Sequence, residues 1–258
     1  MVSLVRRSAS RDIEVAISEQ DGLRSLHLGG NMIQSVMRIA APNDLELVYT
    51  QCMMSFLLFR PVPENILMIG LGGGSLAKFV YHHMPETKIT AVEVNQQIIA
   101  AAYNSFELPE ENARFEVVVA DGGAYIVDHP CSVDVIMVDG FDDDCQVPTL
   151  CSQDFYDQVH QALNKTGILV VNLLSRDKNL NKYLRRIETS FNGHVTAMLS
   201  EVRGNLVVFA FKNNSVRLAW KMLRNHAKVL EKEYALPFPD FVSKLKKYHS
   251  GRGDYLVI

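Results

Sequence analysis

The stretch Asn65-Ile66-Leu67-Met68-Ile69-Gly70-Leu71-Gly72-Gly73-Gly74-Ser75 sets the architecture of the chain. It begins with a short apolar run, which is typical of a strand buried on both faces. Glycines follow, and the residues from Leu76 to Val80 then predict the start of a helix. Strand, glycine turn and helix together open a nucleotide-binding βαβ unit. Glycine suits such a turn because it adopts φ > 0 and lets a ligand approach the backbone closely.

Carboxylates stand at the ends of the next three predicted strands. Ligands of open α/β sheets bind at the C-terminal ends of the strands, so this pattern predicts a nucleoside site. An acid at the end of the second strand can accept both ribose hydroxyls of a bound nucleoside. The alternative is that these acids only cap the helices that follow them. They are Glu93 in the strand 89–94, Asp121 (followed by Gly122) after 115–119, and Asp139 after 133–138.

Length, composition and charge limit the possible classes of protein. The 258 residues are 48% apolar, enough for one large domain or one domain with a small appendage. The net charge of −3 argues against nucleic acid or an anionic membrane as partner. The four cysteines fit no zinc or CxxC spacing. No apolar run follows Arg6, Arg7 and Arg11 as in a signal peptide, and none has the ~18 residues of a membrane span, so we expect a cytoplasmic protein.

The chain divides into two regions of different texture near residue 60. Residues 1–60 hold four short, partly alternating segments separated by turn residues, at 13–18, 23–28, 32–39 and 45–49. They predict the strands of a small N-terminal β-meander domain, followed by a short helix over 51–59. Residues 61–258 alternate strands and helices, which predicts a mostly parallel sheet with an antiparallel pair, 194–199 and 206–211, at its edge. The tail predicts one amphipathic helix through Leu218, Met222, Leu223 and Leu230, followed by a polar end.

The motifs resemble those of the spermidine synthase (polyamine aminopropyltransferase) family. The resemblance covers roughly residues 20–211. It implies a methyltransferase-like Rossmann domain behind a small β-domain, decarboxylated S-adenosylmethionine as co-substrate, a polyamine acceptor, no metal and a homodimer. Its carriers are Asn31-Met32-Ile33-Gln34, Tyr49-Thr50-Gln51, the glycine loop, Glu93, Asp121-Gly122 and Val138-Asp139-Gly140-Phe141-Asp142.

The resemblance also implies a role for each matching position. Asp139 becomes the central catalytic carboxylate, which positions the amine and takes its proton. The nucleoside-sulfonium would be bound by Gln34, Gly70, Gly72, Gly74, Glu93, Asp121 and Gly122, and the amine by Tyr49, Gln51 and Asp142.

Several positions depart from the family pattern. Glycine stands at Gly73, where the family usually has an aspartate that holds the amino group of the sulfonium compound. Gln51 replaces an acid. The segment 139–143 lacks the proline of the family signature, and Asn172-Leu173-Leu174 stands where Gln-Gly-Glu is usual.

These departures leave three hypotheses open. The first is an aminopropyltransferase, the second a methyltransferase that uses intact S-adenosylmethionine, and the third a non-catalytic homologue that binds a nucleoside or a partner chain. The same fold serves the first two reactions. The run Asp142-Asp143-Asp144 could be a solvated acidic loop, an amine site or, least of all, a cation site.

Overall fold

A small antiparallel sheet forms the N-terminal part of the chain. The computed structural model describes residues 15–29, 33–142, 145–202, 204–213, 217–249 and 253–258, without the side chains of 141–142 and 145–146. The small sheet has the order β1-β2-β3, from Val15–Gln20, Leu23–Leu28 and Ile33–Arg38. Asp21 and Gly22 connect the first two strands with positive φ angles, as a tight hairpin requires.

The fourth predicted strand of this region, 45–49, is wrong. These residues form a loop that runs into helix α1, Val48–Met53. The hydroxyl of Thr50 donates to the carbonyl of Leu47 over 2.6 Å, which favours the helical start over an extended strand. A 3₁₀ helix, Met54–Leu58, continues α1, so the predicted helix over 51–59 is confirmed in outline.

Seven strands form the central sheet in the order β11-β12-β10-β7-β4-β5-β6. All neighbouring pairs are parallel except those that involve β12, which is antiparallel to both β10 and β11. The predicted mostly parallel sheet with an antiparallel edge pair is therefore confirmed. The strands are β4 Asn65–Ile69, β5 Lys88–Glu93, β6 Phe115–Val119, β7 Val133–Val138, β10 Leu163–Leu174, β11 Val195–Leu199 and β12 Asn205–Phe211.

Both faces of the sheet are covered, which is why its central strands read as continuous apolar runs. In β4, Ile66 and Met68 point into the core on one face, and Leu67 and Ile69 point into the core on the other. The helices of the sheet are α2 Ser75–His83, α3 Gln96–Ser105, α4 Gly122–Val127, α5 Gln153–Ala162 and α6 Leu180–Ser190. Two-residue strands β8 (Phe141–Asp142) and β9 (Cys145–Gln146) form a short ribbon between β7 and α5.

The C-terminal region differs from its prediction. Leu218 lies in a short strand, β13 (Arg217–Ala219), which pairs with β14 (Tyr255–Val257). Helix α7 spans Trp220–Tyr234, and a second helix, α8, spans Phe238–Tyr248 in place of the predicted polar end. Met222 is 66% exposed and faces solvent, whereas Leu223 and Leu230 are buried.

The small sheet packs against α3 and against the glycine loop. Leu26 and Met37 of the small sheet share a buried cluster with Ile98 and Phe106 of the α3 region. The segment 52–58, in contrast, is buried in the core that also holds the central sheet and α7 and α8. A division of the chain into domains at residue 60 stays a prediction. In the described part of the chain, no helix is both long enough and apolar enough to cross a membrane.

Candidate functional site

A pocket opens where the order of the central strands reverses. The chain runs from β4 outward through β5 and β6, and then returns to add β7 on the other side of β4. Such a switch point is where open α/β sheets bind ligands. The backbone N–H of Asp139 donates to the carbonyl of Ile69 over 2.9 Å, so the ends of β7 and β4 lie side by side.

Gly70 permits this close approach. Its φ is +92°, and a Cβ atom added there would lie 2.3 Å from the carbonyl oxygen of Asp139. Any side chain at this position would push the two strand ends apart. The glycine is therefore required by the packing of the site as well as by the turn.

Glu93 is oriented toward the glycine loop by two backbone hydrogen bonds. One carboxylate oxygen accepts from the N–H of Leu71 over 3.0 Å, and the other accepts from the N–H of Asn95 over 2.9 Å. The residue is only 8% exposed. Because each carboxylate oxygen can accept a second hydrogen bond, the group can also accept from ribose hydroxyls.

Asp121 has two functions in the structure. Its Oδ1 accepts from the N–H of Ala124 over 2.9 Å and so caps α4, the role that the alternative interpretation predicts for the strand-end acids. The residue also lines the pocket, next to Gly122. A Cβ atom on Gly122 would lie 2.4 Å from Cγ2 of Ile69, so only glycine lets α4 begin this close to β4.

Asp139 is held by two side chains. The Tyr49 hydroxyl donates to Oδ2 over 3.1 Å, and Nδ2 of Asn172 donates to Oδ1 over 2.9 Å. Burial raises the pKa of Asp139, while the two hydrogen bonds act in the opposite direction. Burial, with the nearby Asp139, raises the pKa of Tyr49 well above its usual value, so the phenol remains a donor. The arrangement presents a fixed carboxylate to the pocket.

Most of the residues singled out in the sequence meet at this pocket. Those that line it are Gln34, Tyr49, Gly70, Gly72, Glu93, Asp121, Gly122 and Asp139. Asn31 and Met32 lie outside the described residues, as do Asp143, Asp144 and the side chain of Asp142. The ligand-binding and catalytic roles of the lining residues, and the amine-binding role of Asp142, remain predictions.

Two predicted site residues do not line the pocket. The Gln51 side chain donates to the carbonyl of Leu45 over 2.6 Å and so fixes the loop before α1. Gly74 adopts φ +71° at the start of α2, and a Cβ there would lie 2.5 Å from Cδ1 of Leu108. Position therefore does not support direct ligand contact for either residue.

The space beside Gly73 is filled. A Cβ atom at Gly73 would lie 2.8 Å from both the Phe106 ring and Oγ of Ser35. Ser35 and Ser75 both line the pocket, with their hydroxyl oxygens 3.3 Å apart. The family's usual aspartate would not fit here without movement of these neighbours.

Sequence reasoning missed three residues of the site. Asn172 is named above only as a departure from the family pattern, yet it hydrogen-bonds to Asp139. A polar residue inside the apolar run 168–174 is the signal that could have indicated it. Ser35, beside the predicted Gln34, and Ser75, at the end of the glycine loop, both carry no signal beyond their neighbours.

The charges around the pocket have one sign. Its described lining holds the carboxylates Glu93, Asp121 and Asp139 but no lysine, arginine or histidine. Such a lining favours a cationic ligand. Among the described residues, no group of three or more His, Cys, Asp or Glu side chains is arranged to hold a metal ion.

Comparisons with known proteins identify the family of the chain. The family model of the spermine/spermidine synthase domain matches residues 46–215. The chain belongs to the spermine/spermidine synthase family. The polyamine aminopropyltransferase of Chromobacterium violaceum is 40% identical over 254 residues, which are 98% of this chain and 97% of that protein. The chain is accordingly a transferase of the aminopropyltransferase type.

Solved structures share the fold. A probable spermidine synthase from Corynebacterium glutamicum has a TM-score of 0.73 at 16% identity and covers 95% of both chains. Human methyltransferase-like protein 13, solved in complex with SAH, has a TM-score of 0.65 at 29% identity over 74% of this chain and 94% of that one. The comparisons therefore include both reaction types that the sequence leaves open.

Proposed function

We propose that this family member transfers an aminopropyl group from decarboxylated S-adenosylmethionine to putrescine or a related primary amine. The observation that carries the proposal is the pocket lining, with three carboxylates and no basic side chain among its described residues. The decarboxylated donor carries two positive charges, on sulfur and on the amino group. Intact S-adenosylmethionine adds a carboxylate, which this lining disfavours.

The proposed chemistry is a substitution at the carbon next to the sulfonium. The amine must be neutral to attack, although a free alkylamine has a pKa of about 10, like lysine. Asp139 accepts a hydrogen bond from the amine, orients its lone pair and takes its proton. A C–N bond forms, the C–S bond breaks, and its electron pair stays on sulfur as the neutral thioether of methylthioadenosine. The proton then passes from Asp139 to solvent.

Residues around the pocket supply binding and orientation in this proposal. Glu93 accepts from the ribose hydroxyls, Asp121 and Gly122 face the adenine, and Gln34 with the loop backbone contacts the sulfonium side. Tyr49 and Asn172 fix Asp139. Proximity of the two bound substrates supplies much of the remaining acceleration, because the sulfonium is already activated. A cytoplasmic homodimer remains a prediction, and sedimentation of the purified protein tests the dimer.

The experiment compares the two donors side by side with the purified chain. With decarboxylated S-adenosylmethionine and putrescine, we expect methylthioadenosine and spermidine in equal amounts. With intact S-adenosylmethionine we expect neither product and weaker binding by calorimetry. Absence of methylthioadenosine with every diamine offered would contradict the proposal.

The second candidate is a methyltransferase. The likeness to methyltransferase-like protein 13, solved with SAH, favours it. The N-terminus of α2 at the glycine loop also offers N–H groups that can bind a carboxylate. Tighter binding of the intact donor, with formation of S-adenosylhomocysteine on a protein or amine acceptor, would favour this candidate over the first.

A further inference from the structure

A chain of amide hydrogen bonds leads away from Asp139 toward the edge of the central sheet. Nδ2 of Asn172 donates to Oδ1 of Asp139 over 2.9 Å, and Nδ2 of Asn205 donates to Oδ1 of Asn172 over 2.9 Å. Asn172 is 1% exposed and lies near the end of β10, whereas Asn205 is the first residue of β12. Asn205 is not in the lining of the pocket.

The second bond fixes the direction of the first. A side-chain amide has one end that donates and one that only accepts. Because Asn205 donates to Oδ1 of Asn172, the donor end of Asn172 is directed at Asp139. Rotation of the Asn172 amide by 180° would bring its oxygen against the Asp139 carboxylate and its NH₂ group against the NH₂ group of Asn205. Both contacts would be repulsive.

Backbone contacts hold Asn205 in its place. Its N–H donates to Oγ of Ser200 over 3.0 Å, and its carbonyl accepts from the N–H of Ser200 over 2.8 Å. Nζ of Lys244 on α8 donates to the carbonyl of Ser200 over 2.5 Å. The antiparallel hairpin and the C-terminal helix thus set the position from which Asn205 contacts Asn172.

We propose that Asn205 is a positioning residue, which acts through Asn172 to keep a hydrogen-bond donor on the catalytic carboxylate Asp139. The proposal rests on the proposed function for the role of Asp139. According to this proposal, the antiparallel strand β12 has a role beyond extending the sheet, because the side chain of its first residue, Asn205, orients Asn172 in the site.

The pH dependence of the reaction should report this role. The Asn172 hydrogen bond lowers the pKa of Asp139, which burial raises. Loss of Asn205 removes a donor that directs the Asn172 amide toward Asp139, so the Asp139 pKa should rise and less of the base should be ionised at low pH. The other titratable groups that line the pocket are Tyr49, Glu93 and Asp121, and Lys244 lies on the far side of the hairpin. None of these is changed in the variants.

The test measures kcat, KM and the pH profile of Asn205→Ala and of the uncharged, similar-sized Asn205→Leu. Both variants remove the donor to Asn172, and the second preserves volume if the first folds poorly. We expect kcat at neutral pH to fall on the order of tenfold. The KM for the donor should stay unchanged, and the acidic limb of the profile should move to higher pH. An acidic limb that stays in place in a folded variant would overturn the proposal.

Two further variants separate positioning from general stability. Thr196→Ala removes a hydrogen bond between β11 and His249 but leaves the hydrogen bonds of Asn205 intact, so its melting temperature should fall without a shift in the acidic limb. In an Asn172→Ala background, Asn205→Ala should cost no further activity, because its effect is transmitted through Asn172. Additive losses in kcat would contradict transmission by this route.

A readout without turnover keeps the two proposals distinguishable. The Asp139 carboxyl carbon can be titrated by ¹³C NMR in protein with labelled aspartate and assigned by its loss in Asp139→Asn. A higher pKa of Asp139 in Asn205→Ala supports the positioning role of Asn205 even if the wild type makes no methylthioadenosine, in which case only the proposed function fails. An unchanged titration of Asp139 in the variant would overturn the positioning role of Asn205 even if the enzyme is active.

Discussion

Asp139 is the residue on which the proposed chemistry depends, and its surroundings show how a carboxylate can be both buried and useful. Burial raises its pKa, and donors from Tyr49 and Asn172 limit that rise. Because both donors are fixed, they also keep the Asp139 carboxylate from rotating. A base held in this way needs little reorganisation when the amine arrives.

Replacement of Asp139 by asparagine tests its role as a base. The amide keeps the shape but cannot accept a proton at physiological pH. We expect kcat to fall by roughly 10²–10⁴-fold, while calorimetric affinity for methylthioadenosine stays near that of the wild type. The matched control is Asp134→Asn, which changes the same residue type near the opposite end of β7. Equal losses of activity in both variants would contradict a specific role for Asp139.

Gly73→Asp tests why the chain departs from the family pattern at this position. A new side chain would meet the Phe106 ring and Oγ of Ser35, each 2.8 Å from the Cβ position. We expect the free energy of unfolding to fall by about 1–3 kcal/mol because the site is already full. Chemical denaturation measures it. An aspartate accepted without loss of stability would show that the neighbours move freely.

At the scale of elements, the opposite end of β7 has a structural role. Asp134 is 3% exposed, and its Oδ1 accepts from Arg60 over 2.6 Å and from Asn164 over 2.9 Å. Its Oδ2 accepts from the backbone N–H groups of Glu64 and Asn65. These bonds join the start of β4 and the start of β10 to β7, far along the strand from the pocket.

Asp134→Asn should therefore reduce stability and leave catalysis unchanged. The amide carries no charge for Arg60 and offers one acceptor oxygen in place of two. We expect the free energy of unfolding to fall by about 2 kcal/mol in urea titration, with kcat unaltered at 25 °C. A large loss of kcat in a folded variant would mean that the two ends of β7 are coupled.

The sequence predicted the elements of the central sheet well because their apolar runs are bounded by glycine or carboxylate. It failed at 45–49, where a short alternating pattern fits a strand, a loop or a helix start equally well. In the tail, Leu218 and Met222 suggested one helical face, but the buried face of α7 is formed by Leu223, Ala227, Leu230 and Tyr234. Pro237 and Pro239 are usually helix breakers, and α8 was not predicted. In the structure, Pro237 is the N-cap of α8 and Pro239 lies in its first turn, where proline is tolerated.

The site was predictable only in its first layer. Strand-end carboxylates and glycines can be read from one sequence because their types and spacing carry the chemistry. The contact between Asn172 and Asn205 depends on which strands become neighbours, since β12 inserts between β10 and β11. Local sequence does not encode that insertion.

At the scale of the whole molecule, Lys78 joins the glycine-loop helix to the small sheet. It is fully buried, and its Nζ lies 2.6 Å from the carbonyl of Phe106 and 3.1 Å from Sδ of Met37. Burial lowers its pKa to about 8. A lysine with a pKa near 10.4 in the unfolded chain therefore opposes folding most strongly below pH 8, where both states hold the proton.

Comparison of wild type with Lys78→Met tests this linkage. Between pH 8 and about 10.4 the unfolded wild type binds more protons than the folded form, so its stability relative to the variant should rise with pH. We expect a relative gain of about 2 kcal/mol across this range in urea titrations. Tyrosines that titrate nearby are common to both proteins and cancel. If the free energies of unfolding of the two proteins changed in parallel with pH, a lowered pKa of the buried Lys78 would be contradicted.

The proposed function depends on one crevice, at the point where the strand order reverses between β4 and β7, that binds an adenosine sulfonium compound. A crystal structure of the protein with methylthioadenosine and putrescine tests this most directly. We expect the ribose hydroxyls on the Glu93 carboxylate, the sulfur facing Asp139, and the amine nitrogen within hydrogen-bond distance of Asp139. A nucleoside bound elsewhere, or turned so that its sulfur points away from Asp139, would contradict it.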